Sequence, residues 1–251
     1  NSIILNFKGD FMQEFHHDCD CPACHEAYPE ETFSLPLIGD KAPSFIANTT
    51  NGEINFPADY QGKWVILFSH PADFTPVCTT EFMTFATMQQ EFADLNTELV
   101  GLSIDSIFSH IAWINKIKEI EFAGMKNVEV NFPIIDDLSM EVAMKYGMIQ
   151  PKQSETSAVR AVFIIDPQGV IRSIFYYPQS TGRNFAELKR VIQALQATDE
   201  HGVATPANWQ PGDPAIIPPV KTITEARTNL QQGSTDDREV KDWFMVTKKL
   251  Q

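Results

Sequence analysis

The residues best suited to chemistry in this chain are its four cysteines and a short proline-punctuated string. Cys78 stands alone in His70-Pro71-Ala72-Asp73-Phe74-Thr75-Pro76-Val77-Cys78-Thr79-Thr80-Glu81, whereas Cys19, Cys21 and Cys24 fall within six residues of one another. In the string, Thr75 is a favoured N-cap and Pro76 a favoured first helical residue, which places Cys78 in the first turn of a helix. Backbone N–H groups left unpaired at that end face the sulfur, and the helix dipole adds about 0.3–1 kcal/mol in favour of an anion. At about 1.4 kcal/mol per pKa unit, the dipole alone is too weak to make a good nucleophile at neutral pH. A nearby donor such as the Thr75 hydroxyl, and a cation from elsewhere in the chain, have to supply the rest.

Two bland readings compete with a reactive thiol. A lone cysteine is commonly a small buried hydrophobe. A thioredoxin-type dithiol would need Cys-x-x-Cys here, but the residues three before and three after Cys78 are Thr75 and Glu81. The position just past an apolar strand, where loops carry function, favours reactivity. A single activated thiolate suits attack on a peroxide, which leaves a cysteine sulfenic acid. The other cysteines lie in His16-His17-Asp18-Cys19-Asp20-Cys21-Pro22-Ala23-Cys24-His25. One of Cys19, Cys21 and Cys24 could resolve an oxidised Cys78, or the cluster with His25 could bind zinc or another soft metal. Incidental thiols are the third alternative.

Several elements must position these groups. Lys63 to Ser69 reads as a buried strand ending at the breaker His70-Pro71, and residues 76 to 95 as a helix with Phe82, Phe85, Phe92 and Leu95 on one face. A strand at Leu99 to Ile104, a helix from Ser109 to about Phe122, a strand at Asn131 to Ile135 and a helix at Ser139 to Tyr146 follow. Val159 to Ile165 and Val170 to Tyr177 form a hairpin across Asp166-Pro167-Gln168-Gly169, and Phe185 to Leu195 is another amphipathic helix. This order predicts an α/β, thioredoxin-like fold, a central mixed sheet flanked by helices. The expected division is a Cys/His-rich extension at 1–34, the peroxidase-type domain at 35–197 and an extended arm at 198–251. The arm carries Pro206, Pro211, Pro214, Pro218 and Pro219, a short helix near Ile223 to Leu230 and a strand at Trp243-Phe244-Met245-Val246.

Composition narrows the partners. The chain is 251 residues long with a formal net charge of −14, so a phosphate backbone or an anionic membrane surface is disfavoured as a partner. No apolar run approaches the roughly 20 residues that span a bilayer. Few cysteines and no visible secretory leader make the cytoplasm the expected compartment.

Pro71-x-x-x-Thr75-x-x-Cys78 and the string around it resemble the peroxiredoxin active-site signature. The similarity runs from about Ile38-Gly39-Asp40-Lys41-Ala42-Pro43 to the C-terminus. Through Asn208-Trp209-Gln210-Pro211-Gly212-Asp213 and Trp243-Phe244 to Lys248-Lys249-Leu250 it resembles the long-arm, peroxiredoxin-6-like or 1-Cys class. The resemblance implies an antioxidant peroxidase acting on hydrogen peroxide and organic hydroperoxides, with no cofactor required and an external thiol as reductant, thioredoxin-like or small. It implies a homodimer or a decameric ring. It makes Cys78 the peroxidatic cysteine, with Thr75 holding peroxide and thiolate and Pro71 shielding the sulfenic acid. Arg160 and Arg183 match active-site arginines, His70 a pocket histidine and Glu81 a residue that orients an arginine. Read without the resemblance, Arg160 would be a surface salt bridge and His70 a loop histidine satisfied by backbone. Mammalian members also carry a phospholipase serine in Gly-Asp-Ser-Trp; here the matching residues are Gln61-Gly62-Lys63-Trp64, and no Gly-x-Ser-x-Gly elbow occurs, so lipase activity is not expected. The arm has no cysteine, which rules out resolution from within it.

Overall fold

Every residue of Trp64–Ser69 is buried, because this strand (β3) is covered on both faces and paired on both edges. The computed structural model describes residues 34–250. Cys19, Cys21, Cys24 and His25, and with them the expected extension, lie outside the described residues.

The elements run β1 (Phe45–Thr49), β2 (Gly52–Phe56), a short 3-10 turn (Ala58–Tyr60), β3, α1 (Pro76–Asp94), β4 (Thr97–Ser103), α2 (Ile107–Ile117), β5 (Ile134–Asp136), α3 (Glu141–Lys145), β6 (Arg160–Ile165), β7 (Ile171–Tyr177) and α4 (Phe185–His201). The arm adds β8 (Ala215–Ile216), α5 (Ile223–Gln232), β9 (Arg238–Asp242) and β10 (Met245–Lys248). Seven strands form one sheet in the order β2-β1-β5-β4-β3-β6-β7, and β8-β10-β9 form a second sheet. β3 runs parallel to β4 and antiparallel to β6, so the main sheet is mixed, as the sequence predicts.

Alternation along β3 divides the core. Trp64, Ile66 and Phe68 pack with Phe82, Phe85 and Phe92 of α1, Trp113 and Ile117 of α2, and Leu188 and Ile192 of α4. Val65 and Leu67 face the other way, toward Phe45 and Phe56 of the first hairpin and Val142, Ala143 and Tyr146 around α3. At Gly101 in β4 the Phe68 and Phe82 rings come close; a Cβ there would meet them at 3.2 and 3.4 Å.

Several expectations need correction. The β1–β2 hairpin is absent from the sequence reading, although Asn51-Gly52 between two alternating runs is a turn signal. α2 stops at Ile117 rather than near Phe122, since Ala123 and Gly124 both have positive φ and Phe122 instead pairs with Met125. α3 is shorter than Ser139 to Tyr146 because Met140, at φ 59°, is left-handed. α4 continues through position 198, the expected start of the arm, and ends at a left-handed Gly202. In the arm, Trp243 and Phe244 form the turn between β9 and β10, not a strand. β9 escapes a sequence reading because Arg-Glu-Val-Lys-Asp is mostly charged and its burial alternates only between partial and none.

Candidate active site

The site is assembled where β3 hands over to α1. β3 ends at Ser69, residues His70–Thr75 form a loop, and Pro76 opens the helix. Thr75 occupies the N-cap position with extended φ −104° and ψ 145°, but its side chain does not cap the helix. Its hydroxyl donates instead to the Ala72 carbonyl at 2.8 Å, tying the loop to itself. The N-terminal amides of the helix are therefore left free near Cys78, which sits in the first turn. The residue before Thr75, Phe74, has φ 55° and is more than half exposed, a strained conformation for a bulky side chain.

Cys78 is the one cysteine among the described residues; it exposes none of its surface and belongs to the apolar cluster of α1. The apolar and the reactive readings of the thiol thus each apply to part of it. One side packs as a hydrophobe, and the sulfur itself is met by a cation.

That cation is Arg160. The Phe68–Val162 pairing, continued two steps further, brings Arg160, the first residue of β6, just past the end of β3 at Ser69. Ser69 fastens the junction, its hydroxyl donating to the Val159 carbonyl at 2.6 Å and accepting from the Ala161 amide at 3.1 Å. Arg160 Nη1 then lies 3.3 Å from Cys78 Sγ and donates to Glu81 Oε2 at 2.7 Å. Its Nε and Nη2 both donate to the Gln179 carbonyl, at 2.9 and 2.8 Å, which fixes the plane of the guanidinium. Arg160 is 2% exposed, so the surface salt bridge it resembled in isolation is not what forms.

Arg183 bonds elsewhere than to the sulfur. It grips Glu81 from the other side, through its backbone amide and Nε to Oε1 at 2.8 and 3.0 Å and Nη2 to Oε2 at 2.6 Å. Its remaining Nη1 donates to the Ser69 and Ala161 carbonyls, and its plane lies over Phe68 and Phe85. Burial alone would raise the Glu81 carboxyl, but the charge and hydrogen bonds of Arg183, helped by Arg160, hold it below the usual glutamate range. Glu81 thus stays a carboxylate and orients two guanidiniums. Among the described residues, two buried cations facing one carboxylate leave one positive charge uncompensated beside Cys78. An anion at the sulfur completes the cluster.

His70 and Pro71 are buried in the same loop. His70 is held by a side chain rather than by backbone: its Nε2 lies 2.9 Å from Asp73 Oδ1. His110 of α2 meets the second Asp73 oxygen at 2.8 Å. Among the described residues these three form the one cluster of metal-type donors, yet their separations are those of ordinary hydrogen bonds. Sequence reasoning does not single out Asp73 within the string, and it misses His110 and the Gln179 carbonyl. Only the three-residue spacing of His70 and Asp73 offers a signal.

The chain carrying this site is similar to known proteins along most of its described length. Residues 38–174 match the AhpC/TSA family, and residues 194–233 match the C-terminal domain of 1-Cys peroxiredoxin. A peroxiredoxin of Methanosarcina mazei is 64% identical over 216 residues, covering 86% of this chain and 98% of that protein. One from Aquifex aeolicus is 50% identical over 230 residues, covering 88% and 100%. Among solved structures, a yeast mitochondrial 1-Cys peroxiredoxin, described for thiol resolution via glutathione and thioredoxin systems, superposes with TM-score 0.72 at 41% identity over 86% of this chain and all of that one. A cysteine-to-serine mutant of Arenicola marina peroxiredoxin 6 gives 0.74 at 35% identity, covering 86% and 99%. A lone thiol met by an arginine at a helix start is thus found in a chain that belongs to the AhpC/TSA family of peroxiredoxins, thiol-dependent peroxidases.

Proposed function

We propose that Cys78 is the peroxidatic cysteine and that Arg160 is the group that stabilises charge at its sulfur. The 3.3 Å approach of Arg160 Nη1 to Sγ carries this reading, because it supplies the cation that the helix end alone could not. The Cys78 thiolate attacks the distal oxygen of a hydroperoxide. An S–O bond forms, the O–O bond breaks, and the alkoxide or hydroxide leaves to take up a proton. The sulfur loses two electrons and becomes a sulfenic acid, while the peroxide is reduced to an alcohol or water. Thr75 would hold the peroxide once its hydroxyl turns from Ala72, and Pro71 would shield the sulfenic acid. Arg183 and Glu81 support Arg160 rather than touching the reacting atoms, and His70 lines the loop.

A thiol then condenses with the sulfenic acid, releasing water and leaving a disulfide, and a second thiol reduces that bond. Because Cys78 exposes no surface, the first turn of α1 has to move before a protein thiol can reach it. The reductant is an external thiol of thioredoxin-like or small-molecule type, or else one of Cys19, Cys21 and Cys24 in the first step. The alternative for those cysteines, with His25, is zinc. The arm, with Ile223, Trp243 and Phe244 exposed, suits a homodimer, as such or within a decamer. No helix among the described residues is long and apolar enough to cross a membrane; the cytoplasm is the proposed compartment.

Disulfide mapping by mass spectrometry after one equivalent of peroxide tests the cycle. Sulfenic acid or a disulfide at Cys78 is expected. Oxidation that spares Cys78 while peroxide is consumed sinks the assignment.

A further inference from the structure

The loop that delivers Thr75 to the helix start is gripped by a second set of buried groups. Asp73 accepts from His70 Nε2 at 2.9 Å and from His110 Nδ1 at 2.8 Å, one bond to each oxygen. The other nitrogen of His110 faces the Ile135 carbonyl of β5 at 3.1 Å. His70 and His110 expose none of their surface, and Asp73 exposes 6%. Behind them the Asp73 amide donates to Asp105 Oδ2 at 3.0 Å, and Ser103 Oγ donates to that same oxygen at 2.7 Å. One turn further along α2, Trp113 Nε1 donates to Thr79 Oγ1 at 3.2 Å, and that hydroxyl donates to the Thr75 carbonyl at 2.8 Å. His110 and Trp113 are three residues apart, so a single face of α2 holds both the loop and the first turn of α1.

Hydrogen-bond chemistry dictates where the protons sit. A carbonyl oxygen and an ionised carboxylate can only accept. Burial alone would raise the Asp73 carboxyl, but the hydrogen bonds from His110 and His70 hold it well below the usual aspartate range, so it is ionised. His110, with an acceptor at each nitrogen, has to carry both ring protons. His70 has only the one acceptor, and its buried Nδ1 has no partner among the described residues. Burial, and the charge of His110, push the His70 pKa down against the opposing pull of Asp73 and Asp105. His70 is therefore the neutral ring protonated at Nε2, with its lone pair on Nδ1.

We propose that Asp73 and His110 are positioning residues of the peroxidase site: as a buried carboxylate–imidazolium pair, they fix the tautomer of His70 and clamp the His70–Thr75 loop to α2 and β5. The inference rests on Cys78 and Thr75 being the reacting end of that loop. The pair is balanced in charge, so it steadies the loop without competing with Arg160 for the anion at Cys78. Asp73 and His110 bond to each other, to His70 and to the Ile135 carbonyl rather than to the sulfur; they act through the loop.

The test begins with nitrogen-15 NMR of the histidine rings in the reduced full chain at neutral pH, with His110 assigned by its disappearance in His110→Gln. One ring protonated at both nitrogens, assigned to His110, and a neutral His70 protonated at Nε2 are expected. A neutral His110, or a His70 protonated at Nδ1, overturns the proposal. This readout needs no peroxide turnover, so it separates failure of the clamp from failure of the Cys78 assignment. Rapid mixing of His110→Gln and Asp73→Asn with hydroperoxide across pH 5 to 9 follows. We expect the second-order rate to fall on the order of tenfold through loss of alignment, and its pH profile to shift. A profile that superimposes on that of the parent, with only a lower melting temperature, makes the pair merely structural and also overturns the proposal. Should both variants fail to fold, the ring protonation of the unaltered chain, with its histidines assigned through the backbone, decides alone.

Discussion

Two buried charge clusters meet the start of α1, and they are balanced differently. Arg160 and Arg183 face the single carboxylate of Glu81, which leaves positive charge in excess next to Cys78. Asp73 and His110 pair one to one, and the neutral His70 adds no charge. A buried excess charge is costly unless an anion meets it, so the arginine cluster is complete only when the sulfur is negative. The aspartate cluster is complete in itself, which suits it to holding a loop. Buried charged side chains thus serve chemistry in one place and position in the other, and the count of charges tells which.

The comparison can be broken most directly at the sulfur. Cys78→Ser keeps the volume and removes the nucleophile, and peroxide turnover in a thiol-coupled assay should fall by several orders of magnitude. Near-parental turnover would falsify the whole assignment. Next is Arg160→Met, which takes away the one cation touching Sγ among the described residues but leaves Glu81 bonded to Arg183. Stopped-flow rates should drop about 10²–10³-fold with the fold retained, as for loss of a single charge-stabilising donor. An equal drop in Arg183→Met would mean that the two arginines are not divided as described.

Glu81→Gln sharpens the contrast from the side of stability. It leaves two buried guanidiniums facing no carboxylate and should cost about 3–5 kcal/mol in urea denaturation. A loss no larger than that of a surface variant would show that water reaches the cluster.

Acid should weaken both clusters. The carboxyls of Asp73 and Glu81 lie below their unfolded values, so their contribution is present above about pH 4 and fades as pH falls through the folded values. The lowered His70 acts earlier. Below its unfolded value of 6.5 the unfolded chain binds a proton that the folded ring refuses, so stability already declines on acidification from there. Asp137, whose buried carboxyl is raised, works in the opposite sense near its unfolded value of 3.8. Urea midpoints should therefore fall between about pH 6 and pH 5, where the unfolded chain protonates His70 and the folded ring does not; a flat profile over that range would show that the folded ring takes up the proton as readily as the unfolded one. The smallest effect belongs to the solvated pair Lys189–Glu91, 2.6 Å apart. Glu91→Gln should change stability by less than about 1 kcal/mol, because water screens what burial amplifies at Glu81.

The legible part of the site is local. Thr75-Pro76 places the helix start within the string itself, and the phenylalanine spacing predicts α1 to within a residue of its end at Asp94. The Thr75 side chain departs from its expected capping role because Ala72, three residues back, offers its hydroxyl a carbonyl. His110 carries no mark in the sequence, for a histidine on an amphipathic helix reads the same whether or not a buried aspartate faces it. β9 is hidden for a related reason, since a charged edge strand has no apolar alternation to read.

By itself, then, the sequence determined which segment would bear the thiol, where its helix would begin and which strands would lie in the core. These depend on residues a few positions apart, whose propensities and periodicities act within one element. Only the tertiary structure decided which cation meets the sulfur and which merely holds the carboxylate. Arg160 reaches Cys78 across 82 positions, and Arg183 reaches Glu81 across 102. Those distances close through the antiparallel register of β6 on β3 and the packing of the loop before α4. Such register is set by the whole sheet, and no spacing along the chain encodes it.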